Sequence, residues 1–330
     1  MTSKAVVAAV ACALGATLAA QEEGPAVVRQ VTVQAIPGVV AAGAQWTIVW
    51  QGTDNADGIV GTPDGGVIFA QEQPSRVGKV DRNGRFSVYA ERTNGGGSLG
   101  LDTRGRVYAV QRTCTDPGLK TPCTEPTKVG IVYPENERKT LADSFGGKPL
   151  ARPSDLVVAT NGGVYFTAGG AFYIPPDGGR VIGVGQKVRA NGIMLSRDEK
   201  TLYVTNGPTV VAFDVQADGS AINQREFVKL SAGNADGLAI DSEGRLYVAS
   251  GTPGIHVFSA AGKHLGTIPT PREATTLAFS GPDKRVLYSV GRGALGPDGK
   301  EFVTPAGVRN NSKTLYRIPM LAQGFAGRPK

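Results

Sequence analysis

Histidine is almost missing from this chain, with only His256 and His264 among 330 residues. Cysteine and methionine are nearly as scarce, at three each, and tryptophan occurs twice. So few thiols exclude a structural thiolate zinc centre, which needs several cysteines converging. No GxSxG stretch is present. GGGSLG at 95–100 reads as a loop entering a strand, and neither histidine is placed to serve a triad, which excludes an ordinary serine hydrolase. The same stretch lacks the GKS or GKT end of a phosphate loop. Charge is thin too: 19% of residues, a net +7, and no block of five like charges. That composition excludes a disordered polyelectrolyte. It also argues against a nucleic-acid partner, because phosphate tracking needs a clustered basic patch.

Long apolar runs are confined to the N-terminus. MTSKAVVAAVACALGATLAAQ has a short leader with Lys4, an apolar run from Ala5 to Ala20, and small residues at Ala19 and Ala20. This pattern predicts a signal peptide over 1–20, and the run is short for a membrane span. Cys12 is preceded by Ala9-Val10-Ala11, without the leucine expected of a lipoprotein signal. Nothing downstream resembles a span. The expectation is therefore a periplasmic or extracellular protein. In such a compartment the two remaining cysteines, Cys114 and Cys123, which bracket CTDPGLKTPC, are expected to form a disulfide. Closing so short a loop contributes about 2.5–3 kcal/mol in the chain-entropy model.

What the chain has in quantity is glycine, 46 residues, with 21 prolines and 41% hydrophobic residues. These spell short strands and many turns. A unit recurs six times: DGIVGTPDGGVIFAQ (57–71), GSLGLDTRGRVYAVQ (97–111), SDLVVATNGGVYFTA (154–168), NGIMLSRDEKTLYVT (191–205), DGLAIDSEGRLYVAS (236–250) and TTLAFSGPDKRVLYSV (275–290). Each is an apolar strand, a turn and a second apolar strand, and further alternating strands follow most copies. Four strands per unit at this period predict an all-β, six-bladed β-propeller with four-stranded antiparallel blades. An N-terminal strand, WTIVWQG (46–52) or VRQVTVQ (28–34), is expected to pair with the last blade and close the ring, removing open edges. The expected organisation is signal peptide 1–20, N-terminal segment 21–45, propeller 46–320 and tail 321–330.

In a propeller the first strand of each blade lines the central channel. Superimposing the copies brings Asp57, Gly97, Ser154, Asn191, Asp236 and Thr275 into register. Two carboxylates, a carboxamide and two hydroxyls gathered out of water need a cation or protons. Hard cations prefer such oxygens. The competing reading is local: Asp or Asn before Gly is an ordinary turn pair. Arginines precede four of the six positions, Arg92, Arg152, Arg189 and Arg272, where they are candidates to ring the mouth and hold an anionic sugar acid. Both histidines fall in outer strands of the fifth unit and are expected to be exposed.

The stretches ANGIMLSRDEKTLYVTN, NADGLAIDSEGRLYVAS with IHVFSAAGKHLGTIPTP, RPSDLVVATNGGVYFT and LAFSGPDKRVLYSV together resemble the SMP-30/gluconolactonase/LRE-like family, over roughly residues 46–320. The resemblance implies one divalent cation in the channel, Ca²⁺ first, with Zn²⁺ or Mg²⁺ as alternatives. It implies Asn191 and Asp236 as metal ligands. Asp57 stands where the family has glutamate and Ser154 where it has asparagine, with Asp155 matching, so the implied metal site is weakened or remodelled. The implied activity is opening of a sugar lactone or related ester, a small-molecule substrate. Asp236 or Asp155 would be base or nucleophile, and Arg152, Arg189 and Thr275 would contact substrate. The alternative is a non-catalytic propeller that binds a small molecule or a protein around a degenerate metal site. A quinone-linked or electron-transfer propeller lacks visible cofactor ligands.

Overall fold

The six repeats fold into six four-stranded antiparallel sheets arranged as a ring, a six-bladed propeller. The computed structural model describes residues 28–112, 125–176 and 178–327. The expected signal peptide at 1–20 and the Cys114–Cys123 bridge lie outside these residues. From first blade to sixth, the channel strands are Asp57–Gly61, Gly96–Leu101, Leu156–Val158, Ala190–Leu195, Leu238–Ile240 and Ala274–Ser280. Each packs against the channel strands of both neighbours, and the first meets the sixth. The first two strands of a blade are buried on both faces, as along Val67–Gln71, while rim strands such as Ala221–Lys229 are largely exposed. The core therefore lies between blades rather than at one centre. Ile59, Phe69, Tyr288 and Leu315 join the first blade to the sixth in this way. Each such side chain contributes about 1.5–3 kcal/mol by leaving water.

Of the two strands expected to close the ring, Thr47–Gln51 does so. It pairs antiparallel with Ser312–Pro319 as the rim strand of the sixth blade, Thr47 opposite Arg317 and Gln51 opposite Thr314. Its Trp50 ring lies 4.9 Å from Phe69 and 5.9 Å from Phe86, tying the closing strand to the first blade. Residues 28–34 form no strand. Instead Val33, Ile36, Val39 and Val40 are buried against the fifth and sixth blades, so the N-terminal segment adds to the core. Among the described residues no helix is long and apolar enough to cross a membrane.

The expectation of two exposed histidines is half wrong. His264 is exposed, but His256, in strand Gly254–Phe258, has no accessible surface. Its strand neighbours Ile255, Val257 and Phe258 pack into the cores shared with adjacent blades, so the third strand is buried along its length. Its Nε2 lies 3.1 Å from the Ala232 carbonyl oxygen, and its Nδ1 lies 3.3 Å from His264 Nε2 and 3.1 Å from Thr267 Oγ1. Burial lowers its pKa, helped by His264 and opposed by the Ala232 contact.

Candidate functional site

The side chains reach the axis through a repeated backbone irregularity. Pairing between first and second strands slips at Asp57/Ile59, Gly96/Ser98, Ala190/Ile193 and Ala274/Thr276. Such bulges bend a strand and re-aim a side chain. The glycine that follows Asp57 or Asn191 is not a turn residue, for neither has a positive φ. A Cβ on Gly192 would lie 2.0 Å from the Asp236 carbonyl oxygen, and one on Gly58 would lie 2.3 Å from Ser98 Cα. The Asp-Gly and Asn-Gly pairs thus mark where the next blade's channel strand presses against this one.

Five of the six registered positions, Asp57, Ser154, Asn191, Asp236 and Thr275, line one cavity of ≈ 210 Å³ at the channel mouth, with Asp155 beside them. Gly97 gives its place away. A Cβ there would fall 2.0 Å from Arg112 Nε, because the Arg112 guanidinium occupies the space a ring side chain would fill. Arg112 follows the second strand of its blade, Val107–Gln111. Its Nε donates to the Pro153 carbonyl at 2.7 Å and its Nη2 to the Ser154 carbonyl at 2.7 Å. Its Nη1 donates to Asp57 Oδ2 at 2.6 Å and lies 3.4 Å from Glu72 Oε2. Glu72 is in turn held by both nitrogens of Arg152, at 2.6 and 2.7 Å. Asn310 Nδ2 donates to Asp57 Oδ2 at 2.8 Å. Burial pulls the Arg112 pKa down, but Asp57 and Glu72 outweigh it and hold the group protonated.

Asp155 is equally committed. Its Oδ1 accepts from Ser98 Oγ at 2.6 Å and from the Leu156 N–H at 2.9 Å, and its Oδ2 from the Ile193 N–H at 3.0 Å. It joins the second, third and fourth blades. Thr275 Oγ1 donates to the Val290 carbonyl at 3.3 Å and accepts from Ser312 Oγ at 3.1 Å. Asp236 differs from all of these. Its backbone N–H bonds the Ala249 carbonyl, but its carboxylate makes no hydrogen bond or ion pair among the described residues. Burial, reinforced by Asp57 and Asp155 and opposed by Arg292 and Arg112, pushes its pKa up to about 7. The Asn191 carboxamide and the Ser154 hydroxyl likewise have no partner among the described residues. One carboxylate, one carboxamide and one hydroxyl with open oxygens in a polar cavity suit a hard cation. Asp57 does not fit that set, since its Oδ2 already accepts two donors.

Of the four arginines expected at the mouth, Arg152 alone lines the cavity. Arg272 is 1% exposed and clamps Glu301 at 2.7 and 2.8 Å. Arg92 pairs with Glu135 on the surface, and Arg189 is exposed outside the cavity lining. Arg112, Arg292, Arg309 and Asn310 line it without having been picked from the sequence. Arg112 carries a signal in retrospect. A ring position without a side chain leaves a void, and Gly96 sits opposite Gln111, next to Arg112, in the antiparallel register.

The family model for the SMP-30/gluconolactonase/LRE-like region matches residues 90–290. The chain belongs to the SMP-30/gluconolactonase/LRE-like family. A gluconolactonase of Zymomonas mobilis is 31% identical over 162 residues, 40% of this chain and 45% of the relative. The chain thus matches less than half the length of that curated relative. Among solved structures, a gluconolactonase from Xanthomonas campestris aligns with a TM-score of 0.70 at 22% identity, over 90% of this chain and 98% of the other. A calcium-binding protein, regucalcin, from Agrobacterium tumefaciens aligns at 0.61 and 17% identity, over 84% and 95%. At these identities the likeness is one of fold. The span that matches the SMP-30/gluconolactonase/LRE-like model holds Arg112, Ser154, Asn191, Asp236 and Thr275, while Asp57, Glu72 and Asn310 lie outside it.

Proposed function

We propose that this chain is an exported, metal-assisted lactonase that opens a sugar lactone or related cyclic ester with water. The observation that carries this reading is that the Asp236 carboxylate and the Asn191 carboxamide, both without partners among the described residues, line one polar cavity. Lactonase relatives and a calcium-binding relative in fold support it. Asn191, Asp236 and Ser154 would hold the divalent cation, Ca²⁺ first, with water completing its oxygen ligands. Bound there, the cation supplies Lewis acidity to the ester carbonyl and to the oxyanion that develops. One oxygen of Asp236 suffices for such a contact, and the other accepts a proton from the attacking water. That proton returns to the leaving alkoxide as the ring C–O bond breaks, and the product is a hydroxy acid. Arg292 and Arg309 at the cavity wall would attract the carboxylate so formed. Asp155, held by three donors, keeps the blades in register rather than handling protons.

A panel of sugar lactones assayed with and without chelator tests this. Turnover that a chelator abolishes and Ca²⁺ restores is expected; no turnover, or turnover indifferent to chelator, would sink it. The second reading, a binding propeller without chemistry, is favoured by one observation: Asp57 is already neutralised by Arg112. A folded Asp236→Ala protein that still turned over lactone would count against Asp236 in either role. Export is tested by recovering the protein from the periplasm or medium with its N-terminus near Gln21 and with Cys114 linked to Cys123.

A further inference from the structure

We propose that Arg112 is a resident cation of the channel that withdraws Asp57 from the ion site, so that a divalent ion meets one carboxylate where the ring of blades offers two. The inference rests on the reading of this cavity as an ion-holding site, and it concerns which residues hold the ion.

The guanidinium is built in rather than attracted by Asp57 alone. The Pro153 and Ser154 carbonyls fix it through Nε and Nη2, and the missing side chain at Gly97 makes its room. Glu72 is the weaker partner, 3.4 Å from Nη1 and held at both oxygens by Arg152 at 2.6 and 2.7 Å. Asp57 is largely committed from its own side. Its Oδ2 accepts from Arg112 and Asn310 and its Oδ1 from the Gly58 N–H at 2.9 Å, three of the about four positions a carboxylate offers. Side-chain exposures of 8% for Arg112 and 19% for Asp57 leave the pair only partly hydrated. To recruit Asp57, an ion would have to unpair a charge-assisted bond in a poorly solvated place and sit next to the freed guanidinium. Calcium affinity rises with the number of charged ligands. The site as built has Asp236 as its single charged ligand, which places it in the weak class, with a dissociation constant of about 10⁻⁴–10⁻³ M.

Calorimetric titration of the full chain with CaCl₂ tests this directly. Arg112→Met, similar in length and uncharged, is expected to bind Ca²⁺ at least about tenfold tighter, because Asp57 is released to the ion. The gain should vanish in the Arg112→Met, Asp57→Asn double variant. With Arg112 in place, Asp57→Asn is expected to weaken binding by less than about fivefold, and Asp236→Asn by more than about thirtyfold. That pair stays readable if Arg112→Met fails to fold. A folded Arg112→Met with unchanged affinity would overturn the inference, as would a double variant that keeps the full gain. Equal losses in Asp57→Asn and Asp236→Asn would overturn it too, and would leave the lactonase reading standing. Absence of lactone turnover would strike that reading and leave these isotherms to be judged alone.

Discussion

Residue by residue, the channel sorts its acids by how they are compensated. Asp57 has a guanidinium, Glu72 has two, Asp155 has three hydrogen-bond donors, and Asp236 has none among the described residues. An acid whose pKa rises to about 7 on folding stabilises the folded state only while it keeps its proton. That contribution is complete below about pH 4 and is lost as pH rises through 7. In chelator, Asp236→Asn should therefore leave unfolding free energy nearly unchanged at pH 4 and raise it by about 2–4 kcal/mol at pH 8. Denaturant melts at the two pH values measure this, and equal gains at both would contradict it. Asp155→Ala should behave in the opposite sense. It strips the buried Leu156 and Ile193 N–H groups of their acceptor and should cost about 3 kcal/mol or more. The ring positions themselves were legible from register alone, because a repeat puts equivalent residues at equivalent places. The state of each carboxylate was not, since it depends on side chains such as Arg112 and Asn310 that approach from other strands and blades.

At the scale of the element, a channel strand is defined by its bulge and by the glycine behind the ring residue. A turn glycine tolerates substitution when its φ is ordinary; these do not, because another blade's backbone occupies the space. Gly192→Ala is expected to cost about 2 kcal/mol or more, since its Cβ would meet the Asp236 carbonyl oxygen at 2.0 Å and backbone cannot swing away. A melting temperature equal to that of the unaltered chain would refute the packing role. The same substitution should weaken Ca²⁺ binding, because it displaces the segment that carries Asp236. The strands were visible from alternation and turn residues. The meaning of the Asn-Gly and Asp-Gly pairs was not, as a turn and a close approach ask for the same residue.

For the whole molecule, closure is the decisive feature. Residues 47–51 cover the edge of strand Ser312–Pro319, and residues 33–40 bury four apolar side chains on the fifth and sixth blades. A chain shortened to begin at Gly52 should expose that edge and associate through it, forming oligomers by light scattering. A monodisperse monomer would show that the ring holds without its closing strand. Repeat number, blade strand count, the family and five of the six ring positions at the cavity followed from the sequence, because each is a local pattern copied six times and the copies check one another. The choice between two closing strands, the burial of His256, the place of the mouth arginines and the pairing of Asp57 with Arg112 belong to the tertiary structure. Each depends on which surfaces meet between blades, and electrostatic compensation acts through space between residues as distant along the chain as Asp57 and Asn310.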